Sequence, residues 1–327
     1  MKKTNEKANI KILIIGSGAM GSSLANVLKD NHFNDLTIYG IDEQELNALK
    51  KGANPRYFPK TSLHKFKVSN CLKTSIKDVT HIILAIPSSA IKDCINKILP
   101  LITKKVLIIN VAKGFDLATK QPLHQMISAL TTLNPLIRGV VSLIGPSHAE
   151  EIVLRKITVI NAVSNDELFN QEVISLFDNN YLHVKSEHDV IGANVGAMYK
   201  NIIAIFVGMI DSYDVGVNTR AAILTYALGE MIVFNRFMNG KDATIYGLNG
   251  LGDLLVTATS PLSRNYIFGL NYREKKEKKT IEGLKACEVV YNLARTQSLK
   301  LPIVNILYKI LFENKSLNME IWDEIFK

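Results

Sequence analysis

Cysteine is scarce in this 327-residue chain: Cys71, Cys94 and Cys287 form no CxxC pair. That spacing excludes a disulfide framework and a thiolate metal site, and such sparing use suits a reducing cytosol. Seven histidines occur without an HExxH or similar ligand pair, so no metal is expected. Long apolar runs are also missing. After the basic opening MKKTNEKANIK the apolar run ends at Gly16, too short for a signal peptide. The run Ile202–Ile210 is too short to cross a bilayer. The chain reads as soluble and intracellular, with no stable membrane insertion. Acidic residues are outnumbered, 30 against 39 Lys and Arg, which leaves a net charge of +9 spread along the chain and suited to an anionic ligand. The one dense charge cluster, Arg273–Lys279, mixes signs and reads as a solvated loop or helix end. No nucleic-acid-binding motif is present, so no nucleic-acid partner is expected.

What is present is an ordinary globular composition, 47% hydrophobic and 21% charged, long enough for two domains. Strands are predicted at Ile10–Ile15, Leu36–Tyr39, His81–Ile86, Val106–Val111, Val140–Ile144, Ile157–Ala162 and Tyr181–Val184. Helical patterns lie between them, among them Met20–Lys29, Ser89–Ile98 and Glu167–Phe177. Near-continuous apolar strands alternating with helices indicate a parallel sheet covered on both faces. From Asp189 onward the periodicity is helical. The expected fold is α/β: a Rossmann-type doubly wound sheet in residues 1–187, then an all-α domain in 188–327.

The first strand runs into Gly16-Ser17-Gly18-Ala19-Met20-Gly21. Gly16 permits the tight turn, Gly18 lets backbone approach a pyrophosphate, and Gly21 lets helix and strand pack closely. The helix N-terminus then offers N–H groups and a positive dipole end to phosphates. A bare GxGxxG is weak, but here it follows the first strand of an α/β chain, the context a dinucleotide loop requires. Asp42, 21 residues beyond Gly21, is placed to meet an adenosine 2′-hydroxyl or to cap the next helix. Gly40-Ile41-Asp42 offers no arginine to a 2′-phosphate, which tilts towards NAD, although Lys50, Lys51 or Arg56 could fold back.

Lys200 lies in the apolar stretch IGANVGAMYKNIIAIFVGMI with Asn201 beside it. A buried ammonium needs a partner or loses its proton, so Lys200 is either a satisfied ion or a group tuned for proton transfer. The alternative is a side chain that snorkels to the surface. Lys113 follows the strand VLIIN, at a carboxyl-end loop where ligands of such sheets bind. Gly145-Pro-Ser147-His-Ala149 does the same after VVSLI, with Ser147 a candidate helix N-cap. Asp253, in GLGDLLVT, either caps a helix or supplies the counter-charge for Lys200, with Thr257 four residues on and on the same face. Ser263-Arg264-Asn265 reads as a helix start capped by Ser263. An arginine in a first turn opposes the dipole and suggests that an anion shares the site.

Together these segments resemble the NAD(P)-dependent glycerol-3-phosphate dehydrogenase family. The resemblance covers the chain from Gly16 to about Pro302, through GSGAMG, NPRYFP (54–59), IPS (86–88), AKG (112–114), GPSHAEE (145–151), GAMYKN (196–201), GVNTRAA (216–222), GLGDLLVT (250–257), SRN (263–265) and IEG (281–283). It implies reversible reduction of dihydroxyacetone phosphate to sn-glycerol 3-phosphate with NAD(H) or NADP(H), feeding phospholipid synthesis, with no metal and a homodimer as the candidate assembly. Carried over by position, Lys200 is the proton donor and acceptor, and Lys113 and Asp253 belong to its substrate-side cluster. Gly145, Ser147, Ser263, Arg264 and Asn265 fall on substrate contacts, with Arg264 between phosphate and cofactor. Gly16, Ser17, Gly18, Ala19, Met20, Gly21, Asp42, Lys113, Ala149, Arg264 and Glu282 make up the cofactor side.

The chain departs from the family pattern in places. Met20 stands where an aromatic is frequent, Ile41 and Tyr226 where arginines are, and Met198–Tyr199 is bulkier than the usual pair before the lysine. Two other readings compete: a related two-domain reductase such as 6-phosphogluconate or 3-hydroxyisobutyrate dehydrogenase, and a non-catalytic NAD(H)-sensing protein. The SRN and GLGDLLVT segments argue against the first, and retention of Lys200, Asp253 and Arg264 against the second.

Overall fold

The structure is a computed structural model and describes residues 9–116, 119–272, 281–318 and 320–326. The charge cluster at 273–279 lies outside the described residues. In chain order the elements are β1 (Ile12–Ile15), α1 (Ala19–Asp30), β2 (Leu36–Tyr39), α2 (Glu43–Lys50), β3 (Lys67–Ser69), α3 (Leu72–Ser75), β4 (His81–Leu84), α4 (Ile91–Ile98), β5 (Val106–Asn110), α5 (Leu123–Thr131), β6 (Ile137–Ile144), α6 (Ala149–Val153), β7 (Thr158–Val163), α7 (Glu167–Phe177) and β8 (Leu182–Glu187). There follow α8 (Val190–Asp211), α9 (Gly216–Phe237), α10 (Asp242–Tyr246), a π turn at Leu248–Gly252, α11 (Asp253–Ala258), α12 (Arg264–Leu270), α13 (Glu282–Thr296), α14 (Pro302–Phe312) and α15 (Glu320–Phe326). Compactness separates an α/β unit, residues up to Ala112 with Leu123–His188, from a helical unit, Lys113–Pro122 with Asp189–Lys327. A single cut at residue 187 does not describe this division, because Lys113–Pro122 goes with the helices.

In the α/β unit the strand order is β3-β2-β1-β4-β5-β6-β7-β8. The order reverses between β1 and β4, which puts the switch point, where ligands of open sheets bind, at the carboxyl end of β1. The central strands are apolar on both sides, and alternation divides their side chains between two cores. Ile12, Ile14, Ile83, Leu107 and Ile109 pack with Leu24 and Leu28 of α1 and Val173 and Leu176 of α7. Leu13, Ile15, Ile82, Leu84 and Ile108 pack with α4 and α5 on the other face. Helix α4 shows why it lies there: Ile91, Ile95 and Ile98 recur at helical spacing and are fully buried. Each such aliphatic side chain contributes about 1.5–3 kcal/mol on burial.

Two features differ from the sequence reading. Strand β3 was not expected, because Lys67-Val68-Ser69 is too short and too polar to signal itself. The β6–β7 pair is antiparallel, unlike the rest of the sheet. The connection carries only the five-residue α6, about 7.5 Å of helix, which cannot return the chain along the eight-residue β6.

In the helical unit α8 is the axis. Its N-terminus is capped by Asp189, whose Oδ1 accepts the N–H of Gly192 at 2.9 Å. The surrounding core includes Ile223 and Phe234 of α9, Leu254 of α11, Cys287 of α13 and Ile306 of α14. The run at 202–210 was expected to be too short for a membrane, yet α8 spans 22 residues and is long and apolar enough by length. Neighbouring helices cover it, and 94% of its most apolar window is buried within the structure.

Candidate active site

The glycine loop occupies the switch point of the α/β unit. Gly16 has φ +124°, and a Cβ there would stand 2.2 Å from the carbonyl oxygen of Ala85. A Cβ on Gly21 would stand 2.0 Å from Gly16 O, so β1 and α1 approach only because both residues lack one. Gly18 differs: its Cβ would meet nothing closer than the Tyr57 hydroxyl at 3.7 Å. The loop thus turns tightly at its ends and keeps open space at its centre. Helix α1 starts at Ala19 with no side-chain cap on its first N–H groups. An uncapped helix N-terminus beside open space fits a pyrophosphate.

Around the loop stand two residues to which the sequence assigned no role, Glu45 and Asn54. Ser17 donates its hydroxyl to Glu45 at 2.6 Å, and Asn54 donates to Ser17 O and Ser22 Oγ, both at 3.1 Å. Asp42 fills one of its two expected roles through one oxygen: its Oδ1 accepts the N–H groups of Gln44 and Glu45, so it caps α2. Its other oxygen remains on the surface facing Arg56. Ala149 packs with Phe58 and Val153 against Ala19 and Met20. Ser147 corrects the sequence reading. Helix α6 is preceded by His148 with no side-chain cap, and the Ser147 hydroxyl donates instead to Gly145 O at 2.9 Å. Gly145, at φ +143°, turns the chain out of β6.

In the helical unit Lys200, Asp253 and Lys113 form one ionic cluster. Lys200 lies one turn beyond Gly196, where a Cβ would stand 2.2 Å from Asn249 O. The glycine lets the π turn at Leu248–Gly252 press onto α8, and Asp253 follows directly from that turn. Asp253 is fully buried. Its Oδ1 accepts from Lys200 Nζ, and its Oδ2 accepts from Lys113 Nζ at 3.0 Å. It therefore serves as counter-charge, not as a helix cap, since Gly252 occupies that position. Thr257 donates back to Asp253 O at 2.6 Å and braces the turn. Lys200 does not snorkel; it is 5% exposed. Burial is the largest influence on its ammonium and pulls it from the ordinary lysine value down to about 7; Asp253 opposes this and Lys113 adds to it. A lysine so tuned can give and take a proton near neutrality.

The neighbouring residues hold this cluster in place. Asn265 donates to Asn201 Oδ1 at 2.9 Å and accepts from Gly283 N at 3.0 Å, tying α12 to α8 and α13. Ser263 caps α12 through the N–H of Tyr266 at 3.3 Å. Arg264 is exposed in the first turn, and Glu282 half-buried in the first turn of α13. Tyr199 is wholly buried, its ring tilted against Phe234 at 5.8 Å between centroids and its hydroxyl donating to Glu230 at 3.2 Å. Glu230 was not singled out by sequence, and nothing in its neighbourhood there marks it. No group of three or more His, Cys, Asp or Glu placed for a metal occurs among the described residues.

A doubly wound sheet with an open glycine loop at its switch point, and a helical unit holding a buried, proton-tuned lysine, define a dinucleotide-dependent dehydrogenase. Family comparison is more specific. The sequence models described as the NAD-dependent glycerol-3-phosphate dehydrogenase N-terminus and C-terminus match residues 11–170 and 189–321. The chain belongs to this family. It is 44% identical to the glycerol-3-phosphate dehydrogenase (NAD(P)+) of Mycoplasma mobile, over 100% of this chain and 99% of that one. It is 35% identical to the enzyme of the same name from Acholeplasma laidlawii, over 94% of each chain. Among solved structures, glycerol-3-phosphate dehydrogenase from Coxiella burnetii superposes with a TM-score of 0.86 at 29% identity, covering 97% of this chain and 98% of that one. A 3-hydroxyisobutyrate dehydrogenase from Mycobacterium tuberculosis, at 11% identity and a TM-score of 0.55 over 93% of each chain, shares the fold alone.

Proposed function

We propose that this chain catalyses the reversible, NAD(P)H-dependent reduction of dihydroxyacetone phosphate to sn-glycerol 3-phosphate, the glycerol backbone used in phospholipid synthesis. The observation that carries this reading is the Lys200–Asp253–Lys113 cluster on a family-matched chain. A bound nicotinamide supplies the hydride for the carbonyl carbon. Lys200 supplies the proton: its ammonium donates to the ketone oxygen as negative charge develops there, and the resulting amine takes the proton back in the oxidative direction. Asp253 holds Lys200 in position and keeps it charged to a higher pH than burial alone would allow. Lys113 adds positive charge beside the reacting oxygen. Arg264, at the start of α12, serves the substrate phosphate, supported by its exposed guanidinium next to that helix N-terminus. Gly145, Ser147, Ser263 and Asn265 complete the substrate side in this reading. The loop from Gly16 to Gly21, with Asp42, Ala149 and Glu282, makes up the cofactor side.

The proposal extends to a cytosolic enzyme that binds neither nucleic acid nor membrane, supported by free cysteines and by the interior position of α8. A homodimer is its proposed assembly, supported by the exposed apolar side chains Tyr226 and Val233 on α9 and Phe326 on α15. The direct test is loss of nicotinamide absorbance when the purified chain meets dihydroxyacetone phosphate. Lys200→Ala should abolish turnover while NADH still binds in a fluorescence titration. A variant that keeps near wild-type rate would overturn the assignment of Lys200.

A further inference from the structure

The turn from β2 into α2 gathers four side chains whose arrangement bears on the adenosine end of the cofactor. Asp42 spends Oδ1 on the N–H groups of Gln44 and Glu45, at 2.9 and 3.1 Å, and presents Oδ2 to Arg56 at 3.4 Å. Glu45, three residues on and on the same helix face, is 9% exposed and accepts the Ser17 hydroxyl and Arg56 Nη1, at 2.6 and 3.0 Å. Arg56 has folded back to this corner, but onto two carboxylates. One positive charge there faces two negative ones. Ile41, 88% exposed, adds no cation. Lys50 and Lys51 lie five and six residues beyond Glu45, roughly 8–9 Å further along the helix axis.

From this arrangement we propose that the site selects NADH over NADPH, with Asp42 and Glu45 as the discriminating residues. The inference rests on the reading of the glycine loop as a dinucleotide site. A ribose 2′-hydroxyl can donate to the outward oxygen of Asp42. A 2′-phosphate entering the same corner meets net negative charge. Arg56 is committed through Nη1 to both carboxylates, and drawing that group towards a 2′-phosphate weakens its hold on the buried Glu45, which burial penalises. The same step would loosen Ser17, which sits between the two glycines of the pyrophosphate turn.

The test measures affinity, so it stands apart from turnover. Calorimetric titration of the full-length chain with NADH and with NADPH should give a Kd at least about tenfold lower for NADH. Glu45→Gln releases Arg56 and removes one charge, and should tighten NADPH by about tenfold while NADH changes much less. Asp42→Asn keeps a competent helix cap and should narrow the preference in the same direction, which covers the case in which the buried Glu45 variant fails to fold. Equal affinities, tighter NADPH binding, or variants that leave the ratio unmoved would overturn the proposal. NADH preference without reduction of dihydroxyacetone phosphate would instead leave the selectivity intact and refute the proposed reaction.

Discussion

Tyr199 and Glu230 are joined by a hydrogen bond of 3.2 Å inside the helical core, one residue before the lysine in the chain. The same carboxylate accepts the backbone N–H groups of Ile303 and Val304 at the start of α14. Tyr199 is accommodated in this way: its ring fills the core between α8 and α9, and its hydroxyl is satisfied. The link also ties the lysine-bearing helix to α9 and α14.

Glu230 carries a pH dependence. Burial raises its carboxyl from the ordinary 4.5 to about 7, against the hydrogen bonds from Ile303, Val304 and Tyr199. A raised carboxyl stabilises the fold below its unfolded value, and that contribution is lost as pH rises through the folded one. Glu230→Gln removes this slope. Its unfolding free energy relative to wild type should rise by up to roughly 3 kcal/mol between about pH 4.5 and pH 7. Denaturant titrations at both pH values measure this, and a constant difference would show that Glu230 is not protonated in the fold.

Asp253→Asn should act on proton transfer more than on binding. With the counter-charge gone, burial and Lys113 drive the Lys200 ammonium lower still. Ketone reduction needs the charged form, so in wild type its rate should fall as pH rises through about 7. In the variant that limb should move to lower pH, by about one to three units. A pH profile of kcat/KM superimposable on wild type would refute the pairing as the source of the tuning.

Arg264→Ala should raise KM for dihydroxyacetone phosphate about 10- to 100-fold, with a smaller change in kcat. Steady-state kinetics over a range of substrate concentration separates the two constants. An unchanged KM would move the phosphate to another cation.

The α/β unit should lose stability in acid through two further carboxylates. Burial alone would raise Asp30 and Glu172, but Arg155, His64 and Tyr181 around the first, and His81 and Arg138 around the second, bring both down to about 2. Depressed carboxyls stabilise above their unfolded values, and that stabilisation disappears as pH falls from about 4 to 2. Asp30→Asn should flatten part of this acid slope in thermal melts, and an unaltered slope would remove Asp30 from the account.

Much of this architecture is legible in the sequence because it follows from periodicity and from glycine placement. Central strands such as ILII and the VLII of β5 are apolar at every position, and Gly16 and Gly21 meet steric needs that no other residue does. Lys200 was visible as a charge in an apolar helix, and Asp253 as an acid after a glycine-dense turn. Glu45 and Glu230 were not, because their partners lie 11 to 74 residues away and no local pattern records a contact made by folding. Ser147 misled for a related reason: its hydroxyl donates to the Gly145 carbonyl two residues back, and His148 takes the position before the helix. The reversed β7 was legible only in hindsight, from the brevity of α6.

Lys113 travels in the gene with the sheet, between β5 and α5, yet its ten-residue segment belongs to the helical unit and its ammonium is bound to Asp253. Splitting the coding sequence near residue 188 would therefore not yield two self-sufficient halves. A helical fragment beginning at Asp189 would keep Lys200 and Asp253 but lack their second cation, and a chimera joining this sheet to a relative's helices would import a foreign lysine loop into the pairing. Exchange of halves between family members should succeed only when the short segment at 113–122 and the helices are inherited together.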